Sequence, residues 1–519
     1  MDGVDKLQIE DELLLPHDIN PKSSGFKVPF STKFKQWFAN NRWKCLIGAI
    51  LLVTACIVIP VAIKKSKEGP KQELSYQCSE LGVQAIQLAT SQLTGAYGRL
   101  TQMCTQFGNR LSGSQSLENA ITWLQGQMIK DGFENVQTQQ VSVTNWKRGN
   151  EWASMQAPYF KKMNILGLGG SISTNGTNVT LADGSITGQV VVVSNFTQLD
   201  EIGPSGIVNG KIVLFNAVFV NYSSTVAYRV GGAVAAAQYG AIAALVRSVT
   251  PYSLGTPHTG GMHYQQGVTQ IPTAAVTLED ADLIQGLVDM GENVTVNLYM
   301  EAQTLPNAIS RNVMGEITGS EYPDQVVVIG GHIDSWDVGQ GAVDDGGGVM
   351  VAYETLVLLK ALGIQPKRTI RMVAWTNEEN GAAGSVQYQK EFGAQTFFSI
   401  ETDNGVTTPQ GMTVSGLADS DLEDLQSIAN TVIIPYLGGP YNIFIGETGT
   451  DNEPLLANAP GGNFAVDMSQ YFWFHHSEGD ALNKINQTQL DQCVGVMAAL
   501  SVCIANYNTP LTLVSTSSS

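Results

Sequence analysis

Gly330–Gly348 reads GGHIDSWDVGQGAVDDGGG. The apolar run Val326–Ile329 leads into it, and a longer apolar run, Val349–Leu362, leads out. This pattern predicts a strand, a long polar loop and a helix. One His and four Asp crowd the loop in a chain that is only 14% charged. In open α/β sheets, sites are built in the loops at the carboxyl ends of strands. Imidazole and carboxylate together suit a divalent metal of the zinc type.

Further downstream, strands are expected at Thr369–Trp375, Phe397–Ile400 and Gly462–Ala465. Helices Ser385–Phe392, Asp419–Tyr436 and Gln487–Ala505 alternate with them. Helices between apolar strands predict an α/β sheet covered on both faces. Polar clusters follow the strands: His332 with Asp334, then Asp344-Asp345, Glu378-Glu379 and Asp403. A fifth, His475-His476 with Asp480, follows the aromatic run Tyr471–Phe474. A parallel sheet brings strand ends to one edge, so clusters far apart in sequence converge. Taken alone, each has a plain explanation: Asp-Asp before Gly is turn composition, Glu-Glu can open a solvated helix, and a His among aromatics can be core. Together, so many acids in one place cost stability unless a cation compensates them.

Upstream, Ser114 is placed to cap a helix over Leu117–Lys130, and Val136–Val143 alternates as a strand. Residues 166–300 differ in character. Charge is sparse, and runs such as Gln189–Val193 and Lys211–Phe215 stand between Gly, Asn and Asp. They predict an inserted, mainly β domain with one Ala-rich helix, Val230–Tyr239. The insert divides the site-bearing domain into 78–165 and 301–507; 508–519 reads as a disordered tail.

Residues 1–44 are polar and read as a disordered tail, and 45–63 form nineteen uncharged residues, the length that spans a bilayer. A buried core helix is the alternative. Flanking Lys and Arg, with Trp37 and Trp43 at one end, favour a membrane anchor. Residues 64–77 would be a stem. Asn-x-Ser/Thr sequons at Asn175, Asn178, Asn195, Asn221, Asn293 and Asn486 all follow the span, so a type II orientation with the main part outside or lumenal is expected. A secreted form is compatible. Of the six Cys, Cys78, Cys104, Cys493 and Cys503 lie beyond the span, and three pairings are open. A net charge of −18 argues against a nucleic-acid partner.

GGHIDSWDVGQGAVDDGGG, TNEENG (376–381) and YFWFHHSEGD (471–480) resemble the di-zinc exopeptidases that include bacterial leucyl aminopeptidases and glutamate carboxypeptidases. The resemblance covers roughly residues 80–505, and the insert is similar to the family's protease-associated domain. It implies two Zn2+ per chain. His332 and Asp403 would hold the first, Glu379 and His476 the second, and Asp344 would bridge them. Glu378 would be the general base, and the carboxylate of Asp334 would support the ring of His332. His475 is the neighbouring choice of ligand; the spacing to Asp480 favours His476. The chain departs from the pattern at Glu478 and Ala481, where His and Thr are expected; neither is a ligand position. The resemblance further implies a homodimer and hydrolysis of dipeptides or short peptides with unblocked termini. The alternative is a catalytically inactive receptor-type homologue of the same fold.

Overall fold

The structure, a computed structural model, describes residues 71–92 and 94–514. The expected tail and membrane span lie outside the described residues, as does most of the stem. Its last residues are helical, within Lys71–Ser91. Among the described residues the strands form two eight-stranded sheets.

The first sheet runs in the order Glu134–Lys147, Gln303–Ile317, Arg368–Trp375, Tyr322–His332, Thr396–Glu401, Gly461–Val466, Pro409–Ser415, Asn442–Ile445. Its four middle strands are mutually parallel, and antiparallel pairs flank them. Alternation within Val326–Ile329 explains why both faces are covered. Val327 and Ile329 face the main core, which includes the helices Gly347–Ala361 and Gln487–Ala505. Val326 and Val328 join Trp375 and Tyr388 on the other face. Gln487–Ala505 is long and apolar enough to cross a membrane, but here it is the buried helix at the centre of the main core.

Cys78 and Cys503 form a disulfide across a sequence separation of 425, tying the first described helix to the end of that core helix. Such a long closure constrains the unfolded chain and contributes up to about 5 kcal/mol. Cys104 and Cys493 are buried free thiols.

The second sheet is the insert, and here two expectations are corrected. It is not mainly β. The strands Ile186–Val193, Ile212–Phe215, Ala243–Arg247 and Thr273–Val276 pair in parallel. Helices Phe196–Ile202, Tyr222–Gln238 and Leu278–Asp289 run between and after them. Parallel neighbours need a crossover; helices supply the first two, and residues 248–272 make the third without one. The insert also starts earlier than residue 166, because Glu151–Ala157 and Lys161–Met163 pair within its sheet. A third correction concerns the C-terminal stretch, whose described residues, 508–514, are tied back to the domain. Thr512 N–H donates to Asp421 Oδ2, and Leu513 bridges to Leu417.

Candidate metal centre

His332 ends the central strand, and the loop beyond it is held from outside. Arg110 is buried and donates through Nε to Ile333 O (2.7 Å) and through its two terminal nitrogens to Gln340 O and Gly341 O (both 2.8 Å). Asp480 then seats the bridging turn. Its Oδ1 accepts from Ala342 N (2.8 Å) and Val343 N (2.7 Å), and its Oδ2 from Asp344 N (3.1 Å). Asp345 turns away from the centre. Its carboxylate accepts from His332 N and from Gly348 N in the first turn of the next helix. A side chain at Gly348 would run into Thr402 O and this carboxylate, which is why the turn closes on glycine.

The side chains then meet in two groups around one carboxylate. Asp344 Oδ1 lies 3.1 Å from His332 Nε2, which is also 3.4 Å from Asp403 Oδ1. Asp344 Oδ2 lies 3.4 Å from His476 Nε2, which is 3.1 Å from Glu379 Oε2. A tetrahedral cation with bonds of about 2.0–2.1 Å spaces its ligand atoms about 3.3 Å apart. Both groups have that spacing. His475 Nε2 also approaches Asp344 Oδ2, at 3.7 Å, and its ring stacks on His476 at 3.5 Å. The structure thus brings both histidines to Asp344. His476 is nearer and is the one paired with Glu379.

The electrostatics call for a cation. Glu379 Oε1 and Asp403 Oδ1 are buried and make no hydrogen bond. Burial first, then neighbouring carboxylates led by Asp344, pushes Glu379 well above the usual carboxylate range. Burial raises Asp403 to about 7. Burial and the adjacent His475 hold His476 well below its ordinary value, leaving the neutral imidazole that metals bind.

One expected contact is rearranged. The Asp334 carboxylate stands 3.8 Å from His332 Nδ1, and the nearer acceptor for that ring nitrogen is the main-chain carbonyl of Asp334, at 2.9 Å. The carboxylate instead accepts from Glu378 N (3.1 Å) and Glu379 N (3.3 Å). It fixes the backbone of the Glu-Glu pair rather than the imidazole. That turn starts from Asn377, whose φ of 71° is left-handed, and His476 has a φ of 59°. Left-handed backbone at non-glycine positions clusters where side chains must be aimed.

A cleft of about 520 Å³ opens over the centre. Glu378, Asp403 and Asn404 line it from the first sheet's side, and Tyr222, Arg229 and Met262 from the insert. Trp336, from the loop after His332, packs into the insert's core and lies 5.6 Å from the His476 ring. Arg110, Asp480 as a loop holder, and the insert's wall were not foreseen from sequence. Only Asp480 carried a signal, its place beside His476.

Residues 312–501, which hold every candidate ligand, match Peptidase family M28. The structure of a Peptidase M28 precursor from Shewanella amazonensis SB2B aligns with a TM-score of 0.78 at 30% identity, covering 84% of this chain and 98% of that one. A zinc aminopeptidase from Bacillus subtilis shares the fold at 18% identity, with a TM-score of 0.58 over 78% of this chain and 93% of its own. The chain belongs to peptidase family M28 and is a metallopeptidase. It is similar to carboxypeptidase Q. The Homo sapiens protein is 40% identical over 451 residues, 85% of this chain and 92% of the relative, and the Bos taurus protein is 42% identical over 417 residues, 79% and 85%.

Proposed function

We propose that the chain is a di-zinc exopeptidase hydrolysing dipeptides or short peptides with unblocked termini. The observation that carries this reading is the division of Asp344, with one oxygen in each of two His–carboxylate groups. His332 and Asp403 would hold one ion, His476 and Glu379 the other. When bound, the ions supply Lewis acidity at the scissile carbonyl and acidify the attacking water. Glu378 does the rest of the proton work. Its carboxylate faces the cleft 3.9 Å from His332 Nε2, and its backbone is fixed by Asp334. It takes the water's proton and delivers it to the leaving amine. The similarity to carboxypeptidase Q supports small peptides as substrates. The test is hydrolysis of a dipeptide panel by the purified protein, with and without a chelator, alongside metal analysis. Chelator-sensitive cleavage at about two zincs per chain is expected. A folded protein with two zincs that cleaves no member would favour an inactive receptor-type homologue.

The insert is read as a protease-associated domain, residues 45–63 as a type II anchor, and the assembly as a homodimer. Five of the six sequon asparagines are exposed and Asn195 is half-buried. Asn195, Asn221 and Asn486 cap helices through Oδ1, which directs Nδ2 away from the helix; at Asn195 that nitrogen donates to Ser194 Oγ (3.1 Å). A mass shift on glycosidase treatment, and membrane retention lost on deleting 45–63, are the expected results.

A further inference from the structure

His476 has a left-handed φ of 59°. The backbone angles of any residue are set by two peptide planes, one before its Cα and one after. At His476 both planes are held from the insert. The plane before it carries His475 O, which accepts from His258 Nδ1 at 2.6 Å. The plane after it carries His476 O, which accepts from Thr259 N at 2.9 Å. The ring of His476 is held as well, with Nδ1 3.3 Å from Thr259 O. A carbonyl only accepts, so Nδ1 carries the proton. The lone pair is left on Nε2, the nitrogen that faces Asp344 and Glu379.

The loop that makes these bonds is anchored in the insert. His258 is buried, and its N–H donates to Ser248 Oγ at 2.8 Å. Ser248 Oγ donates in turn to Val276 O (2.7 Å), at the end of the insert's strand Thr273–Val276. Thr259 Oγ1 donates to Gly167 O at 2.8 Å. The first site is built differently. His332 donates through Nδ1 to Asp334 O and through its main-chain N to Asp345 Oδ2, both in the loop that follows it. Left-handed backbone at a non-glycine residue is strained and persists where its surroundings over-determine it. The outer partners of a ligand histidine fix its tautomer and its aim.

We propose that His258 and Thr259 are positioning residues for the second metal site. Through them the insert sets the turn and the tautomer of His476, so that affinity for the second ion, and not for the first, depends on the insert. The inference rests on the di-zinc reading above and adds that the two sites are unequal: the first is complete within the site-bearing domain, and the second is shared with the insert.

The test titrates zinc into the full-length, metal-stripped protein and follows each binding step by calorimetry. His258→Phe should weaken one step by about 10- to 100-fold. The other step, whose ligands share no partner with His258, should move by less than about threefold. His258→Asn, whose Nδ2 stands where Nδ1 does, should restore most of the loss. Thr259→Val keeps the backbone bonds but frees the loop from Gly167 O, and should weaken the same step severalfold. Two backgrounds identify that step. Asp403→Asn disables the first site and should show the whole loss, whereas Glu379→Gln disables the second and should show none. Equal weakening of both steps would overturn the proposal, as would unchanged constants in a folded His258→Phe protein. Should His258→Phe fail to fold, Thr259→Val decides, and an unchanged second constant there overturns it. A wild type that takes up fewer than two zincs would remove the di-zinc reading as well.

Discussion

The two sheets share a strand count and a partly parallel topology, yet they spend their residues differently. In the first, three of the four middle strands end in His332, the Glu378-Glu379 turn and Asp403, and these ends deliver charge to one edge. In the insert, strands such as Ile212–Phe215 and Ala243–Arg247 are buried throughout and place no candidate ligand at the centre. One sheet is a platform for ligands; the other is a wall that closes the cleft. Fold alone therefore says little about chemistry, and the side chains at the strand ends say most of it.

The sharpest way to break this contrast is Asp344→Ala, which removes the shared carboxylate from both groups. Metal content should fall, with turnover down by at least about 10⁴-fold; metal analysis and dipeptide hydrolysis check it. Next comes Glu378→Gln, expected to keep its metal and lose about 10²- to 10⁴-fold in kcat. A variant that keeps near-normal kcat at full zinc occupancy would remove Glu378 from the proton path. Asp334→Asn should cost less, about 10- to 100-fold, because it loosens the Glu378-Glu379 backbone while the main-chain acceptor of His332 stays. Binding of zinc by that variant, followed by titration, separates misaimed acids from a lost ligand. The smallest effect on turnover is expected from Leu214→Ala, in the middle of the insert's sheet. It should cost about 2–5 kcal/mol of stability, read by denaturant melts, while kcat per folded molecule changes by less than about threefold. A large kcat defect there would mean that the insert does more than close the cleft.

The same contrast explains what the sequence made legible. His332, Glu379, Asp403 and His476 stand just past apolar runs or an aromatic run, and Asp344 shortly before one; local pattern is enough to mark such positions. The helix Leu278–Asp289 was also writable from sequence: Thr277 caps it, Glu279 and Asp280 fill its first turn, and Leu278, Ala281, Ile284 and Leu287 recur every third residue. The surrounding Val and Thr runs mask it by setting a β expectation. Arg110 and Arg229 are different in kind. Arg110 acts on a loop more than two hundred residues away, and Arg229 on a ring 247 residues away. No local periodicity encodes such a meeting. Asp334 shows a finer limit. Its closeness to His332 was foreseeable, but which of its oxygens faces the ring depends on a backbone turn that the sequence leaves open.

The bond between Cys78 and Cys503 turns the domain into a covalent ring. A single protease cut in an insert loop opens that ring without releasing either piece, so a nicked molecule keeps its metal-binding strand ends and its cleft wall on one continuous tether. Only reduction together with a cut separates them.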